Sequence, residues 1–127
     1  MPGRYRSVAD YHELYLSGLI TPLAVVESLL PLIRRDVPNS RHSVAFIDSN
    51  VEEILKEAKA STQRFKDGTS LGIMDGIPTA IKDETDVAGY RTRSGRKQND
   101  QVFKIAEKSS WPVQTLRNAG SIIIGKL

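Results

Sequence analysis

Apolar residues recur at steps of three and four along the first part of the chain, a pattern typical of helices that bury one face. A short helix is predicted from Ser7 to Leu16, with Ser7 as N-cap and Asp10 completing a partial capping box. A second helix is predicted to begin at Thr21. Pro31 lies inside it and should kink or end it, because proline lacks an N–H group and clashes one turn back. The predicted buried stripe of this second helix consists of Val26, Leu29, Leu30 and Ile33.

Two further helices are predicted downstream. Ser49 and Glu52 have the spacing of a capping box that opens a third helix, which Gly68 is expected to end. The last helix is predicted to start at Ser110 or Trp111 and to be closed by Gly120. The inner face of the third helix is predicted to contain Val51, Ile54, Leu55, Ala58 and Phe65.

Short apolar runs between the helices predict strands. Ser43 to Ile47 and Thr85 to Tyr90 are predicted as short strands, and Ile77 to Ile81 as a strand that Pro78 restricts to a start or an edge. Ser121 to Gly125 is rich in β-branched residues, which is typical of a strand buried on both faces of a parallel sheet. A helix, a glycine and a buried strand in this order predict an α/β fold, in which helices pack on a mixed β-sheet.

Length and composition fit one ordinary domain, since the chain has 127 residues and is 39% hydrophobic. We expect a helical lead-in over about residues 1–42 and an α/β part over about 43–127. The absence of cysteine excludes disulfides and thiolate ligands and suits a reducing compartment, so a cytoplasmic location is expected. No secretory signal is visible, and the most apolar window, Leu19 to Ile33, is too interrupted to cross a bilayer, so no membrane association is expected.

Positive charge concentrates between residues 91 and 108, where six basic residues face only Asp100 and Glu107. Tyr90 and Phe103 stand in or beside this stretch, a combination that can contact phosphate backbones. A solvated loop and helix face explains the charges more simply, so a nucleic-acid partner is not expected.

The stretch from Asp75 to Gly95 carries the most specific chemical signal. It places Lys82 at the end of the apolar run Ile77 to Ile81, among acidic and glycine-rich turns. A lysine there can be partly desolvated, and desolvation favours the neutral amine that acts as a base. By spacing alone, however, a surface lysine that ends a strand is the simpler interpretation.

Two separated motifs resemble those of the amidase signature family. The first is Gly76-Ile77-Pro78-Thr79-Ala80-Ile81-Lys82-Asp83, followed by Asp86-Val87-Ala88-Gly89. The second runs from Trp111-Pro112-Val113 to Gly120-Ser121-Ile122-Ile123-Ile124-Gly125-Lys126. The likeness in order and spacing covers nearly the whole chain but only the first part of the family domain. It therefore implies an incomplete, N-terminal part of an amidase-signature fold.

The resemblance implies hydrolysis of carbon–nitrogen bonds in small-molecule amides by a Ser–Ser–Lys triad, without a cofactor or metal. In this family one serine attacks the carbonyl, and a second serine relays the proton to the lysine. Lys82 matches that lysine and would be the general base. The 127 residues hold no Gly-Ser-Ser-Gly-like segment, and Ser94, the nearest serine, lies in the wrong motif and is interpreted as a turn residue. We therefore expect a truncated chain that is inactive by itself.

The chain departs from the family pattern at two positions. Glu84 stands where family members commonly have Asn, and its charge favours the ammonium form of Lys82, which opposes use as a base. Arg96 replaces a small residue at a tight turn. Both departures suit a chain whose catalytic function is relaxed.

Two alternatives stay open beside the inactive amidase fragment. One is a non-catalytic interaction module that uses an exposed sheet edge or the basic stretch 91–108, with self-association through open strand edges. The other is a complete enzyme of which this sequence is one piece.

Three weaker signals are set aside. Gly120 to Lys126 has the spacing of a phosphate-binding loop, but three isoleucines favour a strand, and Leu127 replaces the required Ser or Thr. His12 and His42 are far apart and are interpreted as surface residues. The acidic residues that suggest a magnesium site are explained more simply as turn-forming and N–H-capping carboxylates; they are Asp75, Asp83, Glu84 and Asp86.

Overall fold

The computed structural model describes residues 5–34 and 44–127, and within them the chain forms four helices and two strands. None of these helices is long and apolar enough to cross a bilayer. In chain order the elements are α1 (Val8–Leu16), α2 (Pro22–Ile33), α3 (Val51–Lys66), β1 (Pro78–Ile81), α4 (Trp111–Asn118) and β2 (Ile122–Lys126).

Two of the predicted strands are not confirmed. Ser43, the first residue of one of them, lies outside the described residues, as does His42, and residues 44–47 form a turn and irregular backbone. The predicted strand from Thr85 to Tyr90 is wrong, because this segment folds into turns. Both predictions rested on short segments, for which the sequence pattern alone discriminates poorly between strand and ordered loop.

The N-termini of the first two helices follow the predicted local chemistry. The Ser7 hydroxyl accepts from the Asp10 amide at 3.2 Å, and the Ser7 amide donates to the Asp10 carboxylate at 2.7 Å. This completes the capping box. The Thr21 hydroxyl accepts from the Ala24 amide at 3.1 Å and caps α2, whose first residue is Pro22.

The predicted capping box of the third helix is displaced by one residue. Asn50 is the N-cap of α3, and its side chain accepts from the Glu53 amide at 3.2 Å. Ser49 is engaged elsewhere, because its hydroxyl donates to the Ile124 carbonyl at 2.8 Å. A contact between residues 75 positions apart therefore overrides the local pattern.

Pro31 neither excludes helix nor ends it at once, since α2 continues to Ile33. Leu30 and Ile33, on either side of the proline, are both buried in the core. We infer that burial of these two side chains holds the last turn in the helical conformation after the proline has removed one backbone hydrogen bond.

The α/β prediction is confirmed. β1 and β2 are parallel, with Pro78 opposite Ile122 and a register shift between Thr79 and Ala80. Asp48 forms an isolated antiparallel bridge with Lys126 on β2, which gives the sheet its mixed character. The connection between the two strands contains α4 and the long turn-rich segment after Lys82.

β2 lies at the centre of the molecule and is buried along its whole length. Ile122 and Ile124 pack with α2 and α3, whereas Ile123 packs on the other face with Val87 and Val113. This alternation is what a strand covered on both faces requires. The predicted burial of this strand on both faces is confirmed, whereas β1 is only half-buried.

Candidate functional site

Lys82 lies directly after β1, and backbone hydrogen bonds fix the chain on both sides of it. The Leu127 amide donates to the Ile81 carbonyl at 2.9 Å, and the Asp83 amide donates to the Leu127 carbonyl at 2.6 Å. The backbone of Lys82 is thus held between two bonds to the residue that follows β2. This is the position at the carboxyl end of a parallel strand where functional side chains of α/β proteins commonly lie.

The side chain of Lys82 is 73% exposed, and its ammonium lies 3.8 Å from a carboxylate oxygen of Glu84, itself 61% exposed. The expected partial desolvation of Lys82 is therefore absent from this structure. An ion pair so open to water contributes little to stability. It does place a negative charge beside the ammonium, as the sequence predicted for Glu84.

An open cleft of about 380 Å³ adjoins Lys82. It is lined by Ile47, Lys82, Asp83, Glu84, Ser94, Gly95 and Leu127. Ser94 lies in this cleft with a left-handed backbone, φ 52°, and its amide donates to the Asp83 carbonyl at 2.8 Å. It is a turn residue, as interpreted from the sequence, although it shares the cleft with Lys82.

Lys126 is the functional candidate that sequence reasoning missed. It is fully buried, and its ammonium donates to the Thr85 carbonyl at 2.7 Å and to the Thr92 hydroxyl at 3.0 Å. It also lies 3.5 Å from the Asp83 carboxylate. The available signal was a lysine closing a continuous β-branched run, because a lysine at that place must find buried partners or reach past the sheet to water.

The acidic residues near Lys82 bind neighbouring donors. Asp83 is buried, and its carboxylate oxygens accept from the Arg93 amide at 3.2 and 3.3 Å. Asp86 accepts from the Thr92 hydroxyl at 2.7 Å. Across residues 5–34 and 44–127, no three histidine, aspartate or glutamate residues lie close enough to hold a metal ion.

Asp75 is a buried carboxylate in the turn that precedes β1. Burial alone would raise the pKa of its carboxyl, but hydrogen bonds from Arg64, the Leu71 amide and Ser61 outweigh burial and hold this pKa below its usual range. The Arg64 guanidinium makes two of these bonds, at 2.6 and 2.9 Å. The arrangement ties α3 to the turn that precedes β1 and so to the strand that carries Lys82.

Three of the six basic side chains of the stretch 91–108 make contacts within the stretch. Arg91 lies 3.3 Å from the Asp100 carboxylate, and Lys104 donates to the Asp100 carbonyl at 3.4 Å. The Arg96 guanidinium lies over the Phe103 ring, 5.2 Å from its centre. These contacts explain Arg91, Arg96, Lys104 and Phe103 as parts of one loop, whereas Tyr90 is a core residue whose hydroxyl accepts from the Asn50 amide at 2.9 Å.

A parallel strand pair flanked by helices, with a lysine at the carboxyl end of β1, defines a partial α/β fold of the kind found in amidases. The family model described as Amidase matches residues 31–127, and the chain belongs to this family. The resemblance carried by the two motifs is thereby confirmed.

Relatives and solved structures agree with this assignment. The chain is 36% identical over 126 residues to a fatty acid amide hydrolase of Arabidopsis thaliana, in a match that covers 97% of this chain and 20% of the relative. It is 31% identical over 125 residues to a fatty acid amide hydrolase of Oryza sativa, in a match that covers 98% of this chain and 20% of the relative.

The peptide amidase of Stenotrophomonas maltophilia superimposes with a TM-score of 0.82 at 26% identity. The match covers 98% of this chain and 25% of that enzyme. The chain thus spans about a fifth of the two fatty acid amide hydrolases and a quarter of the peptide amidase, and its fold is a partial one.

Proposed function

We propose that this chain carries Lys82 as the general base of an amidase-type hydrolysis of carbon–nitrogen bonds, and that the chain is inactive without the serines of a complete amidase domain. The observation that carries this proposal is the position of Lys82, fixed by two backbone bonds at the end of β1 and facing an open cleft. The family match over residues 31–127 supports it.

The exposure of Lys82 supports the expected inactivity of the separate chain. The Lys82 ammonium lies open to water beside Glu84. A general base, by contrast, must lie within hydrogen-bond reach of the proton that it accepts. Covering the cleft with the remainder of an amidase domain would remove water from Lys82 and bring a serine hydroxyl to it. In this proposal the substrate is an amide, and most of the residues that select it belong to the remainder of the amidase domain.

The test is a chimera in which this chain replaces the matching quarter of the Stenotrophomonas maltophilia peptide amidase. The chimera is expected to hydrolyse a peptide amide, and the Lys82→Met variant should lower kcat by roughly 10²–10⁴-fold, the usual contribution of a general base. Lys59→Met, at an exposed position of α3, is the matched control and should leave kcat unchanged.

Equal activity of the Lys82→Met and parent chimeras would overturn the base role. The inactivity proposal has its own test, in which the purified 127-residue chain is assayed on simple aryl amides. Turnover that disappears on Lys82→Ala would show that the chain is an enzyme by itself and would reject that part of the proposal.

A second candidate function is that of an interaction module that binds another copy of the chain through β1. The observation in its favour is a groove of about 510 Å³ beside that strand. Its apolar lining includes Ile20, Val25, Leu29, Ile77, Pro78 and Ile124. Sedimentation velocity tests it, since a module of this kind is expected to dimerise, and replacement of half-buried Val25 by Glu should return monomers. A parent chain that stays monomeric at high concentration would exclude self-association.

A further inference from the structure

The ammonium of Lys126 binds both ends of the segment that follows Lys82. At the first end it contacts the Asp83 carboxylate and the Thr85 carbonyl, at 3.5 and 2.7 Å. At the second end it contacts the Arg91 carbonyl and the Thr92 hydroxyl, at 3.4 and 3.0 Å. One side chain from β2 therefore closes residues 83–92 into a loop against the ends of the two strands.

A buried ammonium requires a defined set of acceptors around it, because removing an ammonium group from water is costly. The cost is offset only when each of its three N–H donors finds an acceptor and an opposite charge lies nearby. The loop supplies two carbonyls, a hydroxyl and a carboxylate, and Asp83 is itself buried. The loop conformation and the buried lysine consequently require each other.

The backbone on both sides of Lys82 is held by the residue after Lys126 and by the loop that Lys126 binds. The Leu127 amide and carbonyl bind Ile81 and Asp83, and Leu127 immediately follows Lys126. The Asp83 carbonyl in turn accepts from the Ser94 amide, which places the turn that lines the cleft. A shift of the loop would therefore move Lys82 and the cleft wall together.

We propose that Lys126 is a positioning residue for Lys82: its buried ammonium fixes the loop of residues 83–92 and thereby the place from which the Lys82 side chain enters the cleft. The functional value of this positioning rests on the proposed role of Lys82 as the general base. The contacts that carry it are independent of that role.

The experiment compares amide hydrogen exchange by NMR in the 127-residue chain and its Lys126→Met variant. Loss of the ammonium should speed exchange of the Asp83 and Ser94 amides at least roughly tenfold more than that of the Ile54 amide, which lies in the core helix α3. In the parent chain, the buried and hydrogen-bonded ammonium of Lys126 should give a protected proton signal at neutral pH. Lys82→Met should leave that signal unchanged.

A merely stabilising role predicts a different result. Exchange would then accelerate by a similar factor at Asp83, Ser94 and Ile54, and this uniform change would overturn the positioning role. Where Lys126→Met fails to fold, Thr92→Val removes one acceptor of the ammonium, together with the hydrogen bond from the Thr92 hydroxyl to Asp86, and should give the same selective pattern at smaller amplitude. A Thr92→Val protein with unchanged exchange at Asp83 and Ser94 would also reject the proposal.

Chemical rescue provides a sharper control, because the chain contains no cysteine. Lys126→Cys, alkylated with 2-bromoethylamine while unfolded and then refolded, regains an ammonium at the same reach and should recover slow exchange at Asp83 and Ser94. Alkylation with iodoacetamide gives a neutral side chain and should not. Equal recovery with both reagents would contradict the inference. All these readouts are independent of activity, so failure of the chimera assay and failure of this proposal are separate outcomes.

Discussion

Gly120 packs directly on Asp75, so closely that a Cβ atom on Gly120 would stand 2.6 Å from the Asp75 carboxylate and 2.9 Å from its Cα. Gly120 also has a left-handed backbone, φ 89°, and its carbonyl accepts from the Gly76 amide at 2.9 Å. The turn that ends α4 is thereby joined to the turn that starts β1, so the two motifs that define the family meet at this contact.

Substitution of Gly120 separates backbone strain from crowding, because Gly89 has almost the same φ, 88°, with open space around it. Gly89→Ala should cost about 1–2 kcal/mol for the left-handed backbone alone. Gly120→Ala should cost about 1–3 kcal/mol more, since the added methyl group overpacks against Asp75. Urea unfolding of both variants measures the difference. An equal loss in the free energy of unfolding would show that Asp75 moves aside for the added methyl group at no cost.

The depressed pKa of Asp75 predicts acid sensitivity. A carboxyl whose folded-state pKa lies below its unfolded value stabilises the protein above the unfolded pKa, and this contribution is lost as pH falls through the folded one. Asp75→Asn should therefore cost about 1–3 kcal/mol at pH 7 and reduce the loss of stability below about pH 4. Thermal unfolding from pH 2 to 7 checks this, with exposed Asp67→Asn as the control. A parallel pH profile for Asp75→Asn and parent would contradict it.

The raised pKa of Tyr15 predicts a loss of protein stability at alkaline pH. Burial, with a smaller effect of Tyr11, raises the pKa of Tyr15 to about 12, and its hydroxyl donates to the Gly76 carbonyl at 3.2 Å. The unfolded chain loses this proton first, so stability should fall as pH rises from about 10 to 12.

Replacement of the tyrosine by phenylalanine isolates this effect. Tyr15→Phe should cost about 0.5–1.5 kcal/mol at neutral pH and make the alkaline loss shallower. Tyr5→Phe changes a side chain that is 99% exposed and should alter neither. Absorbance titration of tyrosinate together with denaturant unfolding provides the measurement, and a Tyr15 that ionises near pH 10 would refute the assignment.

Lys126 and Lys82 should differ sharply in their effect on stability. Lys126→Met leaves the buried Asp83 carboxylate without its ammonium and should lower the free energy of unfolding by about 3–5 kcal/mol. Lys82→Met alters an exposed side chain and should change it by less than about 0.5 kcal/mol. Urea unfolding at pH 7 compares the two, and a similar small loss in both would show that the buried ammonium contributes nothing net.

Local chemistry made part of this structure predictable. The caps at Ser7 and Thr21 each depend on groups within three residues, so their sequence patterns were sufficient. The strand after Gly120 was also evident, because its consecutive isoleucines suit a segment covered on both faces. Lys82 was placed correctly at the end of β1 by its motif.

The features that were missed depend on contacts between distant residues. Ser49 does not cap α3, because its hydroxyl binds Ile124. Lys126 can be buried because two carbonyls and a hydroxyl accept hydrogen bonds from its ammonium. These acceptors lie in a loop at least 34 residues earlier in the chain. The exposure of Lys82 likewise follows from an open cleft whose lining includes the distant residues Ile47 and Leu127, and no local sequence pattern encodes that cleft.

Because Lys126 is buried and Lys82 is exposed, the two amines should differ in their reactivity towards reagents in solution. An acylating reagent under native conditions should modify Lys82 and spare Lys126, although the two amines end neighbouring strands. Protection of Lys82 from that reagent would then report occupancy of the cleft by any partner polypeptide or ligand, without a label or an enzymatic assay.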